Sequence, residues 1–225
     1  AKERLAFDEL FKFGLITNYE YSKIDNSCDI KITKLDKVND FIKNLKFELT
    51  SGEDSQHSTI FSILEEMKKG NRTSSLVQGD VGCGKTMVAT ILMIAMAENG
   101  YQSVLMAPTT VLAKQHFDGL CSELDKIGIK CVFIGGKMKV KEKRETLAAI
   151  RDGQVDIIVG THSVISKDVE FKKLGLTIVD EEHRFGVVQR RLLEKKASEG
   201  IHSITMSATP IPRTYALTIY GDMDV

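Results

Sequence analysis

The chain has 225 residues, 42% hydrophobic and 28% charged, with 31 Lys plus Arg set against 31 Asp plus Glu. That balance describes a globular chain with a sizeable core and excludes collagen-like and wholly disordered classes. It also excludes binding driven by a globally basic surface, so any contact with nucleic acid has to be local.

In chain order, the first stretch, Ala1-Lys2-Glu3-Arg4-Leu5-Ala6-Phe7, is charged and lacks the apolar centre of a signal peptide, which leads us to expect a cytoplasmic protein. Residues 1–46 read as a helical lead-in. Leu5, Leu10 and Phe13, then Val38, Phe41, Ile42 and Leu45, recur at mostly helical spacing on either side of a polar stretch at 18–26. The apolar faces there are too few for an independent core, so the segment packs on the main domain or on something upstream. Residues 47–225 read as one domain. Short apolar runs at 75–78, 104–107, 131–134, 155–159, 176–179 and 203–206 are candidate strands, and helical stretches are expected at 85–98, 110–126, 140–152, 187–199 and 211–220. Asn99-Gly100, Gly128 and Gly200 supply stop signals. This alternation predicts a doubly wound α/β fold, a parallel sheet with crossover helices on both faces. The apolar stretch 87–97 is well short of the ~20 residues of a membrane span.

Two motifs carry chemistry. Gly79-Asp80-Val81-Gly82-Cys83-Gly84-Lys85-Thr86 follows an apolar run and opens an apolar helix, the context a phosphate loop requires. Such a loop turns backbone amides around phosphate oxygens at a helix N-terminus, with Lys85 on the β and γ phosphates and the Thr86 hydroxyl on Mg²⁺. The second motif is the run 176–179 delivering Asp180 and Glu181. Asp180 would hold the metal through its water shell, and Glu181 would orient or deprotonate the attacking water. Together they imply ATP and Mg²⁺ as cofactors. Cys28, Cys83, Cys121 and Cys131 never reach the spacing of a zinc or redox pair, so reduced thiols and no structural metal are expected.

Gly79, Pro108-Thr109-Thr110, Gly135-Gly136, Gly160-Thr161-His162, Asp180-Glu181 and Ser207-Ala208-Thr209 each follow one of the candidate strands directly. In a parallel sheet all of them share the carboxyl edge, where ligands of open α/β sheets bind. The basic run Lys137, Lys139, Lys141, Lys143 and Arg144 after Gly136 is either a phosphate-attracting patch or a solvated helix face.

With the order of these motifs in view, the chain resembles the first, RecA-like motor lobe of the superfamily-two helicases. The resemblance rests on 79–86, on Ala107-Pro108-Thr109-Thr110 and Val159-Gly160-Thr161-His162, and on Asp180-Glu181-Glu182-His183-Arg184-Phe185-Gly186-Val187 and Met206-Ser207-Ala208-Thr209-Pro210-Ile211-Pro212-Arg213-Thr214. The last two strings are similar to those of the RecG branched-DNA helicases and the Mfd transcription-repair coupling translocases. The segments 2–11 and 220–225 lean towards RecG, whereas Glu182 stands where RecG more often has Gln.

The resemblance implies an ATP-dependent DNA helicase acting on forks and junctions in recombination and repair. Gln56 would be its adenine-reading glutamine, unless it is an exposed helix-start residue. His183, Ser207 and Thr209 would couple hydrolysis to movement, and Thr109, Gly136, Thr161 and His162 would follow the DNA backbone. A second motor lobe after Val225 and a wedge domain before Ala1 would complete the machine. A P-loop kinase or a nucleotide switch is the alternative from another class.

Overall fold

A computed structural model describes residues 27–136, 138–180 and 200–208. The expected helices at 187–199 and 211–220 and the first half of the lead-in lie outside the described residues. All six candidate runs are strands: β1 (Ser74–Gln78), β2 (Gln102–Met106), β3 (Cys131–Ile134), β4 (Ile157–Gly160), β5 (Leu174–Asp180) and β6 (His202–Ser207). They form one sheet in the order β1-β6-β5-β2-β4-β3, with every neighbouring pair parallel.

Polar residues that apolar periodicity leaves out extend two of these strands. Gln102 opens β2 although it is 4% exposed. Its Nε2 donates to the carbonyls of Ile150 and Val155, and its Oε1 accepts from the amides of Lys172 and Lys173, so the buried amide is satisfied at both ends. His202 opens β6 in the same way. Its Nδ1 accepts from the Thr73 amide at 3.2 Å and its Nε2 donates to the Ile30 carbonyl at 3.1 Å. Burial pushes this imidazole below its ordinary value, against the opposing pull of the Ile30 carbonyl, and a neutral ring suits one acceptor and one donor nitrogen.

The helices are α1 (Asp36–Lys43), α2 (Gln56–Lys69), α3 (Lys85–Glu98), α4 (Thr110–Leu124) and α5 (Val140–Arg151), with single 3-10 turns at Asp125–Ile127 and His162–Ile165. Helix α2 falls outside the expected stretches. It starts with a capping box in which Ser55 and Ser58 bond each other's backbone amides, and it ends on left-handed Gly70. The serine at the third helical position replaces the glutamate or glutamine that makes such a box legible in a sequence.

Alternate strand residues feed two cores. Leu105, Ile157, Val159, Leu176 and Ile178 face a core built with α1 to α4, and Val104, Met106, Ile158 and Val179 face a smaller one with Ile150 and Val164. Helix α3 is buried at every position from Val88 to Met96, which explains its continuous apolar sequence. Its 14 residues span about 21 Å. Among the described residues no helix is long and apolar enough to cross a membrane. Within the lead-in, Cys28, Ile30, Ile32, Val38 and Phe41 are buried in the larger core.

Candidate active site

The parallel register puts the expected clusters that lie within the described residues at one edge of the sheet. Strand β6 lies between β1 and β5, so the loop after β1 and the carboxylate ending β5 stand two strands, about 10 Å, apart.

Residues 79–84 connect β1 to α3. Gly84 precedes the helix in the left-handed region at φ 91°, and a Cβ there would collide with the Gln56 amide. Only glycine meets both conditions. The first amides of α3 have no acceptor within the helix and give its start an anion-binding character. The Gly79 amide donates to the Ser207 carbonyl at 3.2 Å, which ties the loop to the end of β6. The Lys85 ammonium donates to the carbonyls of Gly79 and Asp80 at 2.6 and 2.9 Å and lies 4.0 Å from the Cys83 sulfur. A phosphate would replace these neutral acceptors with charged ones, which bond an ammonium more strongly.

Gln56, the first residue of α2, is placed against this loop. Its Nε2 donates to the Cys83 carbonyl at 2.8 Å and its Oε1 accepts from the Thr50 amide at 3.1 Å, while its own amide donates to the Thr50 hydroxyl. The side chain therefore braces the loop through the same amide that a base edge would use.

Asp180 ends β5 and is paired in register with Met206 of β6. Its Oδ2 lies 2.7 Å from Nε2 of His116, a residue of α4 that composition and spacing do not single out. The two side chains are each 10% exposed. Oδ1 has no partner among the described residues, and the Thr86 hydroxyl is exposed at the start of α3. Among the described residues there is no group of three or more His, Cys, Asp or Glu side chains that could hold a metal. One carboxylate and one hydroxyl are instead the donor set of a Mg²⁺ that arrives with phosphates and keeps most of its waters. The residues fit such an ion.

Thr109 caps α4 by accepting from the Leu112 amide, and Gly136 and His162 are exposed beyond β3 and β4. Thr161 is half-buried between β4 and the turn at His162–Ile165. That turn is pinned to β3 by the Ser163 hydroxyl, which donates to the Ile134 carbonyl at 2.8 Å. Gly160 is needed there because a Cβ would press on the Ile134 carbonyl and Val164. Ser207 is buried at the end of β6. In the basic run, Lys141 pairs with Glu145 and Lys143 with Asp168, exposed pairs worth about 0–1 kcal/mol each. Glu181, His183, Thr209 and Lys137 lie outside the described residues.

A glycine-rich loop of the phosphate-loop pattern and a strand-end aspartate on one edge of a parallel sheet define a lobe of the P-loop α/β class. The chain belongs to the DEAD/DEAH box helicase family, whose model matches residues 53–217. It is 42% identical over its whole length to the ATP-dependent DNA helicase RecG of Borreliella burgdorferi, and 42% identical to that of Streptococcus pneumoniae. It covers 32% and 33% of those proteins, so it spans about a third of the length of the curated relatives it matches. Among solved structures, that of RecG bound to a three-way DNA junction superposes with a TM-score of 0.83 at 36% identity, covering all of this chain and 30% of that one. The UvsW helicase from bacteriophage T4, at 19% identity and a TM-score of 0.59, covers 92% of this chain and 75% of the phage protein and shares the fold.

Proposed function

We propose that the chain is the ATP-binding motor lobe of a RecG-type helicase that remodels branched DNA. The observation carrying this reading is the common edge on which the phosphate loop, Ser207 and Asp180 stand side by side on β1, β6 and β5. ATP would bind with its phosphates in the amides of 79–86, with Lys85 on the β and γ phosphates and Mg²⁺ shared by Thr86 and the water shell of Asp180. Glu181 would activate the in-line water. Thr109, Gly136, Thr161 and His162 would line a DNA backbone path further along the edge, and His183, Ser207 and Thr209 would join that path to the nucleotide. A cytoplasmic setting goes with this role. The similarity to RecG over the entire chain supports the assignment, and the remaining two-thirds of such a protein would supply the second lobe and the wedge domain.

The test is phosphate release from ATP by the full-length protein. A three-way junction should raise the rate well above that with linear duplex, and a rate indifferent to DNA would overturn the reading. Cys83 offers a second check. It is exposed in the phosphate loop, and its sulfur sits against Gly79. Alkylating Cys83 should abolish nucleotide binding, and ATP should slow the labelling followed by mass spectrometry. Equal labelling with and without ATP would count against a nucleotide in this loop.

A further inference from the structure

Helix α4 does more than return the chain from β2 to β3. Phe117 packs on Phe133 of β3 with ring centroids 5.9 Å apart, and the Lys114 ammonium lies within 6 Å of both rings. Ala113, Leu120 and Leu124 are buried in the larger core. The helix is thus fixed to the sheet on both sides of His116, and the imidazole is held on a rigid element. The 2.7 Å contact between its Nε2 and Oδ2 of Asp180 is a hydrogen bond between two largely buried side chains. With the carboxylate oxygen as acceptor, the imidazole Nε2–H is the donor. With Oδ2 engaged, the carboxylate cannot turn freely about its last bond, and Oδ1 is left as its available oxygen.

We infer that His116 is a positioning residue for Asp180: its Nε2–H holds one carboxylate oxygen so that the other faces the hydration shell of nucleotide-bound Mg²⁺. This rests on the reading of Asp180 given above. Groups that orient a metal-binding carboxylate typically matter about 10–100-fold in metal affinity. The role is separable from nucleotide binding as such, because among the described residues Lys85 bonds Gly79 and Asp80 while His116 bonds Asp180.

The test uses the full-length protein and a fluorescent nonhydrolysable ATP analogue, titrated with Mg²⁺ and also measured in EDTA. His116→Ala should raise the Mg²⁺ concentration for half-saturation about tenfold or more, leave metal-free analogue binding unchanged, and recover most of the loss as His116→Gln, whose amide restores a donor. If the alanine variant is unstable, His116→Met keeps the bulk without the donor and is read the same way. An unchanged Mg²⁺ requirement, a tighter one, or an equal loss with and without metal would each overturn the inference. Failure of the parent reading looks different: the wild-type protein itself would then show no Mg²⁺-dependent analogue binding that Lys85→Ala removes.

Discussion

In the full-length protein, Lys85→Ala is expected to lower ATP turnover by roughly 10²–10³-fold, the usual consequence of deleting one charge-stabilising donor at a reacting group. The side chain has two duties. It now bridges the carbonyls of Gly79 and Asp80, which holds the loop in its turn, and with nucleotide it would exchange them for phosphate oxygens. Alanine removes both, so weaker nucleotide binding should accompany slower turnover. Lys85 is only partly buried and sits outside the apolar clusters, so the variant's thermal midpoint should stay near that of the wild type. Phosphate release within tenfold of wild type would show that another group clamps the phosphates.

Glu181→Gln should give the opposite pattern of binding and rate. The amide has the same shape and can still hold a water, but it cannot take its proton, and general-base removal costs roughly 10²–10⁴-fold. Analogue affinity should remain close to wild type while single-turnover hydrolysis collapses. The geometry of the preceding residue is the reason to expect a clean separation. Asp180 is fixed by the β5–β6 ladder and by His116, so a metal held through it would keep its position after a change one residue further on. A Glu181→Gln protein that hydrolyses ATP at the normal rate would move the base to another residue.

The sheet and the glycine-rich turn at 79–84 were legible in the sequence because each depends on local pattern. The strands are apolar runs with turn residues at their carboxyl ends, and the loop is a contiguous string whose glycines and lysine have fixed spacing. What escaped depended on partners distant in sequence. Gln102 and His202 lie outside the apolar runs, yet they open strands because four and two backbone groups respectively satisfy them. Helix α2 was missing from the expected stretches, its start entering only as an alternative role for Gln56, because its cap is built of two serines. His116 carries no signal at all within its own helix, since its partner is 64 residues away. The sequence left Gln56 between a base-reading and a helix-start role; it does start α2, and its hydrogen bonds to Thr50 and Cys83 were not legible.

Strand β6 gives the lobe a mechanical property. On one flank the Ser207 carbonyl accepts from the Gly79 amide, and on the other Met206 is in register with Asp180. A laddered parallel strand transmits strain along its axis with little give, because its hydrogen bonds must shift together. A shift of β6 along its axis would therefore be felt by the Gly79 loop and by Asp180 together, and the strand would act as a shared keel for the two.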